Sequence, residues 1–214
     1  MQSTEIILIR HGETVANAAG TVQGQLDVEL NATGIRQAGR LAERLRDVPL
    51  DAVYASDLSR AMHTARIIAE PHELNVIPTP ELREWHLGEW QGRRIADILT
   101  VFPGEFEDFV HDSLTMTVTG GESRSAFQHR VSAALDLLTK RHSGGRIAVV
   151  THGAALGMMF KHILNAETIS FPRRPKTSNA SYSKAVYFED NSWQLLTWND
   201  TSHLDGPGSE LGKW

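Results

Sequence analysis

The 214-residue sequence contains no cysteine. That excludes a disulfide framework, thiolate catalysis and thiolate-rich metal sites. No run approaches the roughly 18 consecutive apolar residues of a membrane span, and the opening "MQSTEIILIR" lacks the layout of a cleavable signal. A cytoplasmic protein without membrane contact is expected. Positive charge is in deficit: 21 Lys and Arg against 26 Asp and Glu leave a formal net charge of -5, which argues against a general nucleic-acid binder. The ten histidines include no HExxH motif or similarly tight cluster, so neither a metal nor a cofactor is expected.

What is present fits one domain over residues 1–214, since a hydrophobic content of 41% is enough for a sizeable core. Ile6 to Ile9 is wholly apolar, as a strand covered on both faces requires. From Thr33 the spacing turns helical, with Ile35, Ala38, Leu41, Ala42 and Leu45 on one stripe and Pro49 closing the segment. "DAVYAS" predicts a second strand, after which Ser56 or Asp57 is placed to cap a helix over 58–70. "NVIPTP" is a short strand limited by its prolines. Residues 82–121 have weak periodicity and many aromatics, including Trp85, Trp90, Phe102, Phe106 and Phe109, and predict an excursion or lid with short helices. A helix over 122–142, a strand over 147–150 and a helix from Ala154 follow. "SYSKAVYFE" and "WQLLTW" alternate around Asp190-Asn191-Ser192 as a hairpin at the sheet edge, where a homodimer seam is expected. The tail from Asp200 reads as loose. The alternation predicts an α/β three-layer sandwich, a mostly parallel central sheet with helices on both faces.

In such sheets ligands bind beyond the carboxyl ends of the strands. Arg10-His11-Gly12 follows the first strand, and Thr151-His152-Gly153 follows the strand over 147–150. A single His-Gly is an ordinary polar strand end, but two at equivalent strand ends converge. Arg60 stands in the first turn of its helix, where the helix dipole does not call for a cation. Two guanidiniums and two imidazoles make a trap for phosphate or carboxylate. Glycine permits close backbone approach by a ligand, and the helix after His152 offers N–H groups to an anion.

The stretches "RHGET", "VQGQLDVELNATG", "YASDLSRAMHTA", "ELREWHLGEWQG", "GGES" and "VVTHGAALG" stand in this order from Ile6 to about Asn199. Through them the sequence closely resembles the histidine phosphatase superfamily, also called the phosphoglycerate mutase-like family. The resemblance implies a covalent phosphohistidine mechanism with His11 as nucleophile and Arg10, Arg60 and His152 holding the phosphoryl oxygens. It implies further phosphate hydrogen bonds from Asn17, Gln23 and Gly153, and it makes Glu84 the general acid. Chemically, the nucleophilic imidazole needs a partner for its other nitrogen, most simply a backbone carbonyl. Burial against Trp85 or Trp90 would help keep Glu84 protonated. Glu81 and Glu89 read as surface acids, and Glu13 belongs to the signature without a catalytic step.

By resemblance, cofactor-dependent phosphoglycerate mutases carry a longer insertion after the acid motif and an asparagine where Ala154 stands. These departures favour a metal-independent phosphomonoester hydrolase, with a cofactor-dependent phosphoglycerate mutase as the alternative. A metal-dependent hydrolase lacks its motif, and a non-catalytic phospho-ligand module is disfavoured because the reactive set is intact. The expected partner is a small-molecule phosphate ester, such as a phosphoglycerate derivative or a sugar phosphate; the motifs look like those of glucosyl-3-phosphoglycerate phosphatases and of broad-specificity phosphatases. The basic loop Arg173, Arg174 and Lys176 reads either as a solvated loop or as a grip on a second anionic group.

Overall fold

The computed structural model describes residues 2–113, 115–169 and 175–204. Strand β1 (Ser3–Arg10) is buried without interruption from Ile6 to Ile9 because both faces of the sheet are covered. Side chains alternate along it: Ile6 and Leu8 enter one core, Ile7 and Ile9 the other. The remaining strands are β2 (Ala52–Ala55), β3 (Val76–Pro78), β4 (Arg146–Thr151), β5 (Tyr182–Phe188) and β6 (Trp193–Asp200). Their order is β3-β2-β4-β1-β5-β6, parallel from β3 to β1 and antiparallel in the β5–β6 hairpin at the edge. This is the expected three-layer α/β sandwich.

After the short α1 (Val15–Ala18), helices α2 (Ala32–Leu45) and α3 (Ser59–Ala69) cover the Ile7/Ile9 face, and α6 (Arg124–Arg141) and α7 (Gly153–Ile163) cover the other. The excursion carries α4 (Ile95–Val101) and α5 (Pro103–Val110). It is anchored as an extension of the core: Trp85 stacks on Phe127 of α6, with ring centroids 5.5 Å apart and 14° between planes, and Trp90 meets Phe109 edge-on at 5.5 Å. The Trp90 indole N–H also donates to Glu105 (2.9 Å).

Three local expectations are corrected. Ile35 is exposed, and the buried stripe of α2 begins instead at Gly34. A Cβ there would stand 2.1 Å from the Glu13 carbonyl oxygen, so the backbone of α2 sits directly on the loop after β1. Neither Ser56 nor Asp57 caps α3. Asp57 is drawn into a bidentate pair with Arg83 (2.6 and 2.5 Å), Ser56 turns to His152, and the cap comes from Asp27, which accepts from Ser59 N (2.7 Å) and Oγ (2.8 Å). The chain from Asp200 to Leu204 is not loose: Asp200 accepts from Tyr182 Oη (2.8 Å) and Ser202 N (2.8 Å), and Arg40 donates to the Leu204 carbonyl (2.9 Å). The rest of the tail, 205–214, and Arg173 and Arg174 lie outside the described residues.

Candidate active site

Strands β1 and β4 are parallel neighbours with Arg10 opposite Thr151, so the residues that follow them, His11 and His152, emerge side by side. Their ring centroids are 5.1 Å apart, and both rings are buried. His11 Nδ1 lies 2.7 Å from the Gly12 carbonyl oxygen. Only a protonated nitrogen can make that bond, so Nε2 carries the lone pair. Burial, then the charges of Arg60 and Arg10, hold His11 well below the usual histidine range, which favours the neutral ring at neutral pH.

Arg10 Nη1 donates to the Thr177 carbonyl at 2.5 Å. Among the described residues its buried Nε has no hydrogen-bond partner, an arrangement that costs free energy unless an acceptor is supplied. A Cβ at Gly153 would meet Arg10 Cζ and Nε only at ordinary contact distance, 3.5 Å, so the approach of the guanidinium does not require glycine there. Arg60 is almost fully buried, donating from its two terminal nitrogens to the carbonyls of Leu26 and Gly24 (both 2.7 Å) and from Nε to His152 Nδ1 (3.2 Å). Burial pulls its guanidinium down to about 10, against the opposing pull of Glu84 and Asp27. Because His152 Nδ1 accepts from Arg60, its proton sits on Nε2, which donates to Ser56 Oγ (2.8 Å). Both imidazole nitrogens are thus engaged within the protein, and His152 too is held well below the ordinary histidine range by burial and then by Arg60.

Glu84 reaches into the same pocket. Its Oε1 accepts from Trp85 N (2.9 Å) and Ala155 N (3.2 Å), and Oε2 from Ala154 N (3.0 Å). Two of the N–H groups at the start of α7 expected to meet a ligand anion, those of Ala154 and Ala155, are therefore occupied by the protein's own carboxylate.

Asn17 and Gln23 are brought together by a residue that sequence reasoning missed. The fully buried Thr14 hydroxyl stands 3.0 Å from both Asn17 Oδ1 and Gln23 Oε1, while accepting from Asn17 N at 3.1 Å. With the oxygens tethered, neither amide NH2 has a protein acceptor among the described residues, and both remain available to a ligand. Asn179 Nδ2 adds bonds to the carbonyls of His11 (3.1 Å) and Gly12 (3.3 Å). Glu13 is structural: its Oε1 accepts from Asn31 Nδ2 (2.8 Å), fastening the loop to the start of α2. Thr14 and Ser56 gave one available signal, as polar residues beside the strand-end motifs, but nothing in their spacing names their partners.

Residues 6–201 match the family model described as "Histidine phosphatase superfamily (branch 1)". The chain is 39% identical to a metal-independent phosphoserine phosphatase of Arabidopsis thaliana, over 96% of this chain and 85% of that one. It is 37% identical to phosphoglycerate mutase-like protein 4 of the same organism, over 95% of this chain and 88% of that one. A solved structure of a mycobacterial glucosyl-3-phosphoglycerate phosphatase in complex with VO3 superimposes with a TM-score of 0.84 at 31% identity, covering 91% of this chain and 98% of that one.

Proposed function

Given that the chain belongs to the histidine phosphatase superfamily, we propose that it hydrolyses small phosphomonoesters, without a metal, through a phosphohistidine at His11. The observation that carries this is the tautomer lock: Nδ1 donates to Gly12 O at 2.7 Å, leaving the Nε2 lone pair unprotonated in a buried pocket flanked by two guanidiniums. In the first step Nε2 attacks phosphorus, the P–O ester bond breaks, and the leaving oxygen takes a proton from Glu84. Glu84 Oε2 accepts one N–H only, so it keeps a lone pair on which that proton can ride. In the second step Glu84 removes a proton from water as the water attacks the N–P bond, and phosphate leaves with His11 restored.

Arg10 supplies to the phosphoryl oxygens its Nε–H, which has no partner among the described residues, and Arg60 the N–H directions that Leu26 and Gly24 do not use. Asn17 and Gln23 add their amide NH2 groups, and Gly153 its backbone N–H. His152 aligns Arg60 and exchanges Ser56 for a phosphoryl oxygen when the pocket fills. The name of the phosphoserine phosphatase relative and that of the glucosyl-3-phosphoglycerate phosphatase structure support hydrolysis of a small phosphorylated metabolite. Phosphate release from a panel containing O-phosphoserine, 3-phosphoglycerate, glucosyl-3-phosphoglycerate and p-nitrophenyl phosphate tests the assignment, with chelator present and His11→Ala as control. Release abolished by the substitution supports it; conversion of 3-phosphoglycerate to its 2-isomer without release makes the protein a mutase instead.

A further inference from the structure

The segment bearing Glu84 is gripped from α6 by one side chain. Arg130 Nη1 donates to the carbonyl oxygens of Glu81 (2.8 Å) and Arg83 (3.0 Å), and Nη2 to that of Glu84 (3.4 Å). The remaining donors go to Glu122, from Nη2 to Oε1 at 2.6 Å and from Nε to Oε2 at 3.4 Å. All five N–H directions of the guanidinium are engaged, the two at 3.4 Å weakly, so none is left for a substrate. The guanidinium also lies over the Phe127 ring at 5.2 Å, in the stack that includes Trp85.

Glu122 closes the grip from the other side. Its Oε1 also accepts from His86 N (2.9 Å), its own N–H donates to the His86 carbonyl (3.0 Å), and its carbonyl accepts from the Trp85 indole (2.8 Å). One ion pair therefore holds the backbone at positions 81, 83 and 86, on both sides of Glu84. The pair is only about a fifth exposed, and a carbonyl-wrapped, bidentate pair of this kind contributes more than an isolated surface salt bridge. The carboxyl end of Glu84 is fixed independently, by the first N–H groups of α7. Gln25 Nε2 adds a bond to the Glu84 carbonyl (3.0 Å) and Thr151 Oγ1 one to that of Leu82 (2.7 Å), but among the described residues only the Arg130–Glu122 pair ties positions 81, 83, 84 and 86 together.

We propose that the Arg130–Glu122 pair is a positioning device for proton transfer, setting where Glu84 stands relative to the leaving oxygen and so how well a poor leaving group is expelled. The inference rests on Glu84 being the acid of the proposed hydrolase. It separates from a general structural role by leaving-group chemistry: p-nitrophenolate departs without a proton, whereas an alkoxide needs one. The experiment compares kcat/KM, which reports formation of the phosphohistidine, for p-nitrophenyl phosphate and for the best alkyl ester of the panel. Because a misplacement near 1 Å costs on the order of 100-fold, Arg130→Met should lower kcat/KM for the alkyl ester roughly 10- to 100-fold and for the aryl ester by less than about threefold. Arg130→Lys should fall between, and inhibition by orthovanadate should hold, showing that the phosphate pocket is intact. Glu122→Gln, which keeps the shape but removes the charge and turns one of the two acceptor oxygens into an NH2 donor, should show the same selective loss and serves if the arginine variants do not fold. Equal losses on both esters, or an undiminished alkyl rate, would overturn the proposal. Failure of the wild-type protein to release phosphate from either ester would instead overturn the hydrolase assignment.

Discussion

Gly12→Ala should damage both stability and turnover, by an amount that can be worked from the backbone. A Cβ at Gly12 would stand 2.5 Å from the Gly34 carbonyl oxygen and 2.9 Å from its carbon, both backbone atoms. Reaching ordinary contact at 3.4 Å requires the two segments to part by about 0.9 Å. Gly34 cannot simply retreat, because it is packed on the Glu13 backbone and capped by Asn31 Oδ1 (2.8 Å). Overpacking of this kind costs about 1–3 kcal/mol, which for a chain of this size lowers Tm by roughly 2–12 °C. The same shift moves the Gly12 carbonyl that fixes the His11 tautomer, and at the proposed nucleophile a displacement approaching 1 Å costs on the order of 100-fold in kcat. Gly39→Ala is the control within the same helix: it is exposed, nothing lies within 4 Å of its Cβ position, and alanine there should stabilise by about 0.5–1 kcal/mol with activity unchanged. Calorimetric Tm and steady-state phosphate release on both variants measure the contrast. A Gly12→Ala protein with wild-type Tm and kcat, or a Gly39→Ala protein equally impaired, would refute the reasoning.

Thr14→Val removes the hydroxyl that orients two amides while keeping shape; a loss of about 1–3 kcal/mol is expected, with a raised KM, checked by thermal denaturation and by kinetics on one ester. Asp112→Asn leaves buried Arg124 and Lys161 facing a neutral amide, so the denaturation midpoint should drop by the equivalent of about 3–5 kcal/mol. His162 is raised above the usual histidine range, first by its bond to Asp136 and further by Glu167, so its stabilisation is complete below the unfolded value near 6.5 and lost as pH rises through the folded value. Denaturation of His162→Gln against wild type should therefore show a gap at acid pH that closes at alkaline pH, and a pH-independent gap would count against it. His11 and His152 have the opposite sign: they are depressed, so the unfolded chain takes up protons that the folded chain refuses, and stability should fall as pH drops below about 6.5. In NMR titrations neither ring should shift through pH 6.5, and a midpoint there for either would contradict the burial described above.

The sheet and the paired strand ends were legible because they depend on patterns internal to short stretches, such as the apolar run Ile6–Ile9 and the His-Gly that ends each of two strands. Arg60 was legible because an arginine at a helix N-terminus contradicts the dipole. Residues whose roles depend on distant partners were not. Asp57 and Ser56 have the right chemistry and spacing to cap α3, yet Arg83 and His152 claim them, and the cap arrives from Asp27, 32 residues before Ser59. Likewise Arg130 has the look of one more helix-surface charge until the fold brings carbonyls 46 to 49 residues away within its reach. The start of the α2 stripe was misjudged at Ile35 because local periodicity cannot show that Gly34 is pressed against another backbone.

The two imidazoles are separated by the distance between neighbouring strands, so their spacing is inherited from β-sheet register and could change only if β1 slipped against β4. Glu84, by contrast, is carried by a segment outside the sheet, and its carboxylate is tied back to the start of α7, just beyond β4, through the N–H groups of Ala154 and Ala155. Under the proposed hydrolysis, loops within 82–121 could therefore be exchanged to alter substrate preference while His11 and His152 keep their register, provided that the ties of Glu84 to Arg130, Glu122 and α7 are carried along.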